Sequence, residues 1–218
     1  MTQRDLSLVT VFFEAERDLL LLQAKSLARF MPEGLCSQIV VIDNGAKPAS
    51  SRWRSHLLTA YGPHASLVSF RSRDEVVPTD APGWVSQQLI KLAISRDIET
   101  AGYVVLDSKN HLVAPLVTTD IVNSDGRWRL KRNSYASHPL REFVTKTLTF
   151  VGLEPNLDDD TLPGTTTPFV FDTQATRELW TWLGAEGTRD PARTFVDNSL
   201  IEFVLYGSRL KALGTVDT

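Results

Sequence analysis

Apolar runs alternate with amphipathic segments through the first half of the chain. The apolar runs are rich in β-branched and aromatic residues, as is typical of strands that are buried on both faces. They cover residues 6–13, 37–43, 65–70 and 103–106. Apolar side chains recur at helical spacing over residues 17–30, over 53–61 and from Gly83 onward. Strands that alternate with helices form parallel βαβ units, so the pattern predicts an α/β fold with a mostly parallel central sheet flanked by helices.

The second half of the chain has a less regular pattern. Residues 127–132 alternate like a half-exposed strand, and residues 169–172 form a short apolar strand that ends in an acid. Three amphipathic helices are expected around them, over residues 138–150, 173–183 and 198–206. This half therefore elaborates the sheet of the first half.

The length of the chain favours a single domain. Its 218 residues are 42% hydrophobic and 22% charged, as in an ordinary globular protein that buries a sizeable core. No linker composition separates the two halves. We therefore expect one domain over residues 1–218, with residues 1–116 and 117–218 as its two parts.

Charge and cysteine content exclude several classes of protein. The formal net charge is −3 and no dense basic run is present, which argues against a nucleic-acid partner. The single cysteine, Cys36, excludes an intramolecular disulfide and fits a reducing compartment. No apolar stretch approaches the roughly 20 residues that span a bilayer, and the first residues do not resemble a signal peptide. We expect no transmembrane segment and a cytoplasmic protein, with peripheral contact with the inner membrane left open.

Three predicted strands end on acids, Asp43, Asp107 and Asp172. The glycine-rich phosphate loops, the serine-nucleophile elbow and the histidine-rich zinc motifs are missing from the chain. Ligands of open α/β sheets bind at the carboxyl edge, where these acids are expected. Helix capping or a turn is the favoured explanation of Asp43 and Asp172, with a functional role as the alternative. Asp107 precedes Ser-Lys-Asn-His, with no obvious helix to cap, and is the strongest candidate.

The helix before the fourth strand carries polar residues suited to an anionic ligand. Gln87 and Lys91 are four residues apart and share one face, and Trp84 and Gln88 lie on the adjoining stripe. A solvated helix face would explain the same pattern, but this face has no acid to balance Lys91. An anion at the start of the helix, beside Gly83, would gain from the free amide groups there.

Glu202 interrupts a strongly apolar run near the end of the chain. A buried carboxylate is typically paired with a compensating group or has a catalytic role, and burial raises its pKa toward the range useful for a general base. Asp197 is expected to cap the following helix, with a catalytic role as the alternative. Tyr206 lies one turn beyond Glu202, in position to orient its carboxylate.

Taken in order, four segments of the chain resemble the GT-A-type nucleotide-sugar glycosyltransferases. They are Val9-Thr-Val-Phe12, Val40-Val-Ile-Asp-Asn44, Gly83-Trp-Val-Ser-Gln-Gln-Leu-Ile-Lys91 and Val104-Val-Leu-Asp-Ser-Lys-Asn110. Two later segments, which begin at Thr167 and Ile201, extend the resemblance. The chain is most similar to a bacterial group associated with surface-polysaccharide genes.

The resemblance implies a Rossmann-like GT-A fold and sugar transfer in bacterial surface-polysaccharide synthesis. The donor would be a nucleotide-sugar, bound by residues 1–116, and the acceptor a glycan or glycolipid, met by residues 117–218. The nucleoside would be held at the ends of the first two strands by Thr10, Phe12, Glu14 and Asp43. The diphosphate and donor sugar would be met by Trp84, Gln87, Gln88 and Lys91.

A divalent metal, Mn²⁺ or Mg²⁺, is also implied, held by a D-x-D at the end of the fourth strand. Asp107 takes the first position, as catalytic residue and metal ligand, but Lys109 stands at the second. Either Asp107 binds the ion with Asn110 and a further oxygen donor, or Lys109 and Lys91 neutralise the diphosphate without a metal. We expect weak or absent metal dependence. Glu202 would deprotonate the acceptor if transfer inverts the anomeric centre.

Two other functions are open at this point. The absent second acid suggests a GT-A-like module that binds a nucleotide or glycan without turnover. A nucleotidyltransferase on a similar sheet would need Mg²⁺ and release pyrophosphate, but the chain has no glycine-rich phosphate loop near residue 14 to support it.

Overall fold

The computed structural model describes residues 5–158, 162–186 and 190–215. Five strands form one sheet in the order β3-β2-β1-β4-β5. They are β1 (Leu6–Phe12), β2 (Gln38–Asp43), β3 (Val68–Ser72), β4 (Gly102–Asp107) and β5 (Phe169–Asp172). All neighbours pair in parallel except β5, which is antiparallel to β4. The predicted α/β fold with one mostly parallel sheet is confirmed.

Helices cover both faces of the sheet. They are α1 (Arg17–Phe30), α2 (Ser51–Tyr61), α3 (Arg73–Val76), α4 (Gly83–Ala93), α5 (Arg141–Phe150), α6 (Thr173–Glu186), α7 (Pro191–Asp197) and α8 (Glu202–Ala212). None of the helices in the described ranges has both the length and the apolar character needed to cross a membrane.

Alternate residues of each strand point to opposite faces, so the sheet carries a core on each side. On one side, residues such as Leu8 and Val41 pack with Leu27 of α1 and Leu57 of α2. On the other side, the strand residues that point away from α1 and α2, such as Val9, pack with α4, α6, α7 and α8. A third cluster joins α5 to α8. The sheet is therefore a buried middle layer, and only its edges can offer backbone or side chains to a ligand.

Two predicted elements of the second half are wrong. Residues 127–132 form no strand of the sheet, and only isolated bridges occur there, Val122 with Trp128 and Arg132 with Pro163. Their alternation reflects inward and outward side chains of a packed loop, because Trp128 is buried against the sheet. The helix expected over 198–206 begins at Glu202, since α7 ends at Asp197 and Ser199 adopts a positive φ of 52°.

Candidate active site

The carboxyl ends of β1, β2 and β4 lie side by side. Asp107 is in register with Val11, and Phe12 is in register with Asp43. Helix α4 begins at this edge, because the side-chain amide of Asn44 donates to the Gly83 carbonyl at 3.2 Å. A side chain at Gly83 would lie 2.9 Å from the Phe13 ring, so glycine allows this close approach.

Lys91 joins two carboxylates at this edge. Its Nζ donates to Oε1 of Glu202 at 3.2 Å and lies 3.5 Å from Oδ1 of Asp107. The other oxygen of Asp107, Oδ2, lies 3.6 Å from Nζ of Lys109. The three side chains expected to share one site are therefore in contact, and we call Lys91, Asp107 and Glu202 the ion cluster.

Hydrogen bonds among β4, α4 and α8 fix the position of the ion cluster. The Tyr103 hydroxyl donates to the Lys91 carbonyl at 2.8 Å and ties α4 to β4. Helical side chains tilt toward the N-terminus, which lets Lys91 reach back from the second half of α4 to the end of β4. The Glu202 amide donates to the Gln88 side chain at 3.4 Å, so α8 starts against α4. The Lys91 Nζ also lies 4.9 Å from the centre of the Phe203 ring.

Exposure differs sharply among the charged groups. The side chains of Lys91 and Glu202 are 5% and 7% exposed, whereas those of Asp107 and Lys109 are 28% and 69% exposed. Burial raises the pKa of Glu202 and the neighbouring Lys91 ammonium opposes that rise. A ligand that approaches this edge thus meets Asp107 and Lys109 first, with Glu202 and Lys91 behind them.

Lys91 is less available than the sequence suggested. Its own helix face has no acid, but Asp107 and Glu202 compensate its charge from β4 and α8. The α4 face expected to be polar is also largely enclosed, since Gln88 and Lys91 are buried and only Gln87 is half-buried. The side-chain amide of Gln88 donates to the Trp84 carbonyl at 3.2 Å, and its oxygen accepts from the first residue of α8. Both the nitrogen and the oxygen of this amide therefore have partners.

The turn after β4 is held by a residue that sequence reasoning missed. Buried Gln23 of α1 accepts from the Thr10 hydroxyl at 2.9 Å and donates to the carbonyls of Asp107 and Asn110 at 2.6 and 3.0 Å. The Asn110 side chain accepts from the Asp107 amide at 2.7 Å. Thr10 and Asn110, expected to touch substrate, shape the loop that presents Asp107, and their contact with a substrate stays a prediction. Gln23 gave no signal because an amide on an amphipathic helix is commonplace.

At the ends of β1 and β2, Asp43 and Phe12 are held by contacts within the protein. The Asp43 carboxylate accepts from the amides of Gly45 and Ala49 at 2.9 and 2.7 Å, so it closes a turn. Phe12 is buried and stacks on Trp53 with ring centroids 5.1 Å apart. These contacts place Phe12 and Asp43 in the framework of the edge, and their contact with a nucleoside stays a prediction.

Arg17 and Trp53 offer unused donors close to the expected position of the nucleoside. The Arg17 guanidinium lies 5.5 Å from the Trp53 ring centre and pairs with exposed Glu14 at 3.0 Å. The Arg17 Nε and the Trp53 Nε1 are buried and have no hydrogen-bond partner among the described residues. A buried donor without a hydrogen-bond partner costs free energy, so a ligand that accepts hydrogen bonds from these two groups would bind more tightly.

Trp84 is the exposed aromatic residue of this edge. Its side chain at the start of α4 is 44% exposed and meets Phe143 of α5 edge-to-face, with centroids 5.5 Å apart. It is therefore placed to contact a ligand over α4, beside half-buried Gln87.

Asp197 and Tyr206 lie outside the ion cluster. Asp197 ends α7 rather than capping the next helix, is 54% exposed, and pairs with Arg193 at 3.4 Å. The cap expectation was wrong because the chain turns at Ser199 before α8 begins. The Tyr206 hydroxyl accepts from the Asp172 amide at 3.0 Å instead of meeting Glu202. Asp172 caps α6 through the Ala175 amide at 3.0 Å, which confirms the capping interpretation.

The charges around Asp107 do not fit a divalent cation. Each of its oxygens faces a lysine ammonium, and no group of three or more His, Cys, Asp or Glu side chains converges within the described ranges. A metal of the expected kind is commonly held by one or two carboxylates together with substrate phosphates and water, but the Asp107 carboxylate is already paired with two cations.

The fold is similar to those of solved glycosyltransferases. An active-site mutant of LgtC superimposes with a TM-score of 0.56 at 11% identity, over 95% of this chain and 69% of that one. The galactosyltransferase LgtC in complex with donor and acceptor sugar analogs gives a TM-score of 0.53 at 11% identity, over 95% and 70%. The bifunctional glycosyltransferase WbbM gives 0.50 at 14% identity, over 97% of this chain but 45% of its own. These likenesses confirm the expected Rossmann-like GT-A fold.

Sequence comparison adds a family. The model of a family of unknown function, DUF6492, matches residues 14–218. No curated protein matches the chain.

Proposed function

Because the chain belongs to the DUF6492 family, whose description names no activity, we propose its function from the fold and the ion cluster. We propose that it transfers a sugar from a nucleotide-sugar donor to a hydroxyl group of a glycan or glycolipid acceptor in bacterial surface-polysaccharide synthesis. The observation that supports this most strongly is the contact of Lys91 with both Asp107 and Glu202 at the carboxyl edge of a GT-A sheet.

The chemistry of sugar transfer sets what the site must supply. The bond between the anomeric carbon and the diphosphate breaks, and its electron pair leaves with the diphosphate. A bond to the acceptor oxygen forms, and the proton of the acceptor hydroxyl passes to the Asp107 carboxylate or to the departing diphosphate. A carboxylate near the anomeric carbon stabilises the oxocarbenium-like transition state, and a cation stabilises the leaving diphosphate. Asp107 and Lys109 are the partly exposed pair that offers these two charges side by side.

The buried members of the ion cluster act behind this pair. Lys91 holds Asp107 from within, and Glu202 holds Lys91, so the orientation of the Asp107 carboxylate depends on both. Glu202 was expected to deprotonate the acceptor, but its side chain is 7% exposed and engaged with Lys91. We therefore assign contact with the substrates to Asp107 and a positioning role to Lys91 and Glu202.

The nucleoside would lie over the ends of β1 and β2. Arg17 and Trp53 present buried donors that lack a partner in the described part of the chain, and the exposed Glu14 carboxylate adjoins them. The donor sugar would lie against Trp84 and Gln87, since an exposed aromatic face and an amide suit a sugar ring. No step is assigned to a metal, because the ammonium groups of two lysines already lie beside the Asp107 carboxylate.

The test combines ligand binding with turnover. A thermal-shift screen of UDP, GDP, CMP and their sugars identifies the donor, since a ligand at about 100 times its Kd stabilises the fold by about 2.7 kcal/mol. Transfer to glycan and glycolipid acceptors is then followed by mass spectrometry. Asp107→Asn should bind the donor but lose about 100-fold or more in transfer rate, as expected for a group that acts in the transition state.

Asp197→Asn is the matched control, since it neutralises an exposed acid outside the ion cluster. Near-normal transfer by the Asp107→Asn protein would refute the assignment. A wild-type protein that binds nucleotide but transfers no sugar across the panel would identify the chain as a binding module instead.

A further inference from the structure

Exposed apolar side chains gather on one surface of the molecule. Four of the large apolar residues that are exposed in the described part of the chain lie on α1 and on the segment after β4. They are Leu19, Leu22, Val113 and Val117, with exposures of 39%, 51%, 88% and 50%. The others, Trp84, Val196 and Leu213, lie on separate elements. Clusters of exposed apolar residues mark interaction surfaces more often than scattered ones do.

Hydrogen bonds hold the segment 110–117 along the length of α1. The contacts join His111 Nε2 to the Leu19 carbonyl at 3.2 Å, the Leu112 amide to Ser26 Oγ at 3.0 Å, and the Leu116 amide to the Phe30 carbonyl at 2.9 Å. Leu19, Leu22 and Ser26 recur at helical spacing and so share the side of α1 that borders this segment. The four exposed apolar side chains therefore form one surface, which we call the α1 surface.

Cations outnumber acids around the α1 surface, although acids outnumber cations in the whole chain, 26 to 23. The exposed cations of α1 and of the loops beside it are Lys25, Arg29, Lys109, Arg127, Arg129, Lys131 and Arg132. The exposed acids there are Glu14, Asp18, Glu33, Asp120 and Asp125. This side of the molecule thus carries a local charge opposite in sign to the net charge of the chain, and it suits an anionic partner.

A cleft beneath the segment favours a lipid over a flat protein surface as the partner. It has a volume of about 180 Å³, its walls are mostly apolar, and Arg129 and Lys131 line it together with Asp120. An adjoining cleft of about 300 Å³ shares Leu27, Leu106 and Leu112 with it and extends to Lys109. A narrow apolar cleft with cations at its border suits an acyl chain that hangs from an anionic headgroup.

We propose that the α1 surface docks the protein on the surface of an anionic lipid bilayer. Leu19, Leu22, Val113 and Val117 enter the interface, and the surrounding lysines and arginines meet the lipid phosphates. Since Lys109 borders both the cleft and Asp107, docking brings the candidate active site close to the headgroups, within reach of a lipid-linked acceptor.

The experiment uses vesicles and needs no sugar donor, so it is independent of the proposed function. The whole chain is sedimented with vesicles made of equal parts phosphatidylglycerol and phosphatidylcholine, and with vesicles of phosphatidylcholine alone. Binding to the anionic vesicles should be stronger and should weaken with added salt, because screening shortens the range of the charges.

Two variants test the two components of binding. Leu22→Glu combined with Val113→Glu should lower the partition coefficient more than about tenfold, because it places charge in the inserted face. Lys25→Gln combined with Arg29→Gln should lower it about fivefold per removed cation on anionic vesicles and little on neutral ones. Val196→Glu, which adds the same charge at an exposed apolar position on α7, is the matched control and should bind like the wild type.

Two outcomes would overturn the proposal: a wild-type protein that does not sediment with anionic vesicles, or a Leu22→Glu, Val113→Glu protein that binds them as strongly as the wild type. If the wild type does not bind and that variant changes its oligomeric state, the α1 surface is a contact between copies of the chain. Circular dichroism and thermal unfolding establish that each variant is folded before it is compared.

Discussion

Replacement of Lys91 by methionine removes the cation that two carboxylates share. Methionine keeps an unbranched apolar stem of similar reach, so packing is largely preserved. The ammonium lies 3.2 Å from Glu202 Oε1 and 3.5 Å from Asp107 Oδ1. At an effective dielectric constant of about 20, each contact corresponds to about 5 kcal/mol of attraction. The net contribution is smaller, because all of these charges lose hydration on folding, and removal of one partner from a buried pair typically costs about 3–5 kcal/mol.

The cost should depend on pH in a defined direction. Burial raises the pKa of Glu202 in the folded state, and Lys91 opposes the rise. Without Lys91 that pKa rises further. A group with a raised folded pKa contributes stability that is present below its unfolded pKa, about 4.3, and is lost as the pH rises through the folded value. The Lys91→Met protein should therefore lose little stability near about pH 4.5 and most near about pH 8.

Urea unfolding followed by circular dichroism at both pH values measures this cost. Lys91→Met combined with Glu202→Gln should recover part of the loss at high pH and flatten the pH dependence, since the carboxylate that must ionise is gone. Lys109→Met is the matched control: this lysine is 69% exposed, and its loss should cost less than about 1 kcal/mol. A Lys91→Met protein within about 1 kcal/mol of the wild type at both pH values, or one with an equal loss at both, would refute the reasoning.

Two further predictions concern packing and metal. Gly102→Ala should destabilise the fold by about 1–3 kcal/mol in urea unfolding, because its Cβ would lie 2.4 Å from the buried Trp128 ring. Gly164→Ala, whose Cβ would meet its nearest atom at 3.4 Å, should be close to neutral, and equal losses in the two variants would contradict the steric argument. Sugar transfer should be unchanged by EDTA or added Mn²⁺, because Lys91 and Lys109 are paired with the two oxygens of Asp107. Loss of turnover on chelation would show that a metal takes part in transfer.

Strands were predictable where burial on both faces leaves an unbroken apolar run. Residues 103–106 are such a run, and β4 was found with an error of one residue at each end. Alternation was less informative in the second half. Trp128 and Leu130 point inward from a loop that packs on the sheet without joining it, so their spacing imitates a strand although only isolated bridges form there.

The candidate site was predictable in its members but not in its bonding. Separate signals pointed to Lys91, Asp107 and Glu202, namely an unbalanced cation, an acid at a strand end and an acid in an apolar run. Their mutual contact is a tertiary property, since the partners are supplied by α4, β4 and α8. Gln23 escaped detection because its role depends on carbonyls that the turn at Asn110 brings together only in the folded chain.

The ion cluster also has a consequence for synthesis on the ribosome. Asp107 and Lys91 belong to the early part of the polypeptide, whereas Glu202 arrives with α8, long after the parallel strands have emerged. In a chain that lacks α8, Asp107 would be the acidic partner left to Lys91, and the face of α4 against which α8 packs would be uncovered. The ion cluster would therefore be completed only when α8 packs on α4.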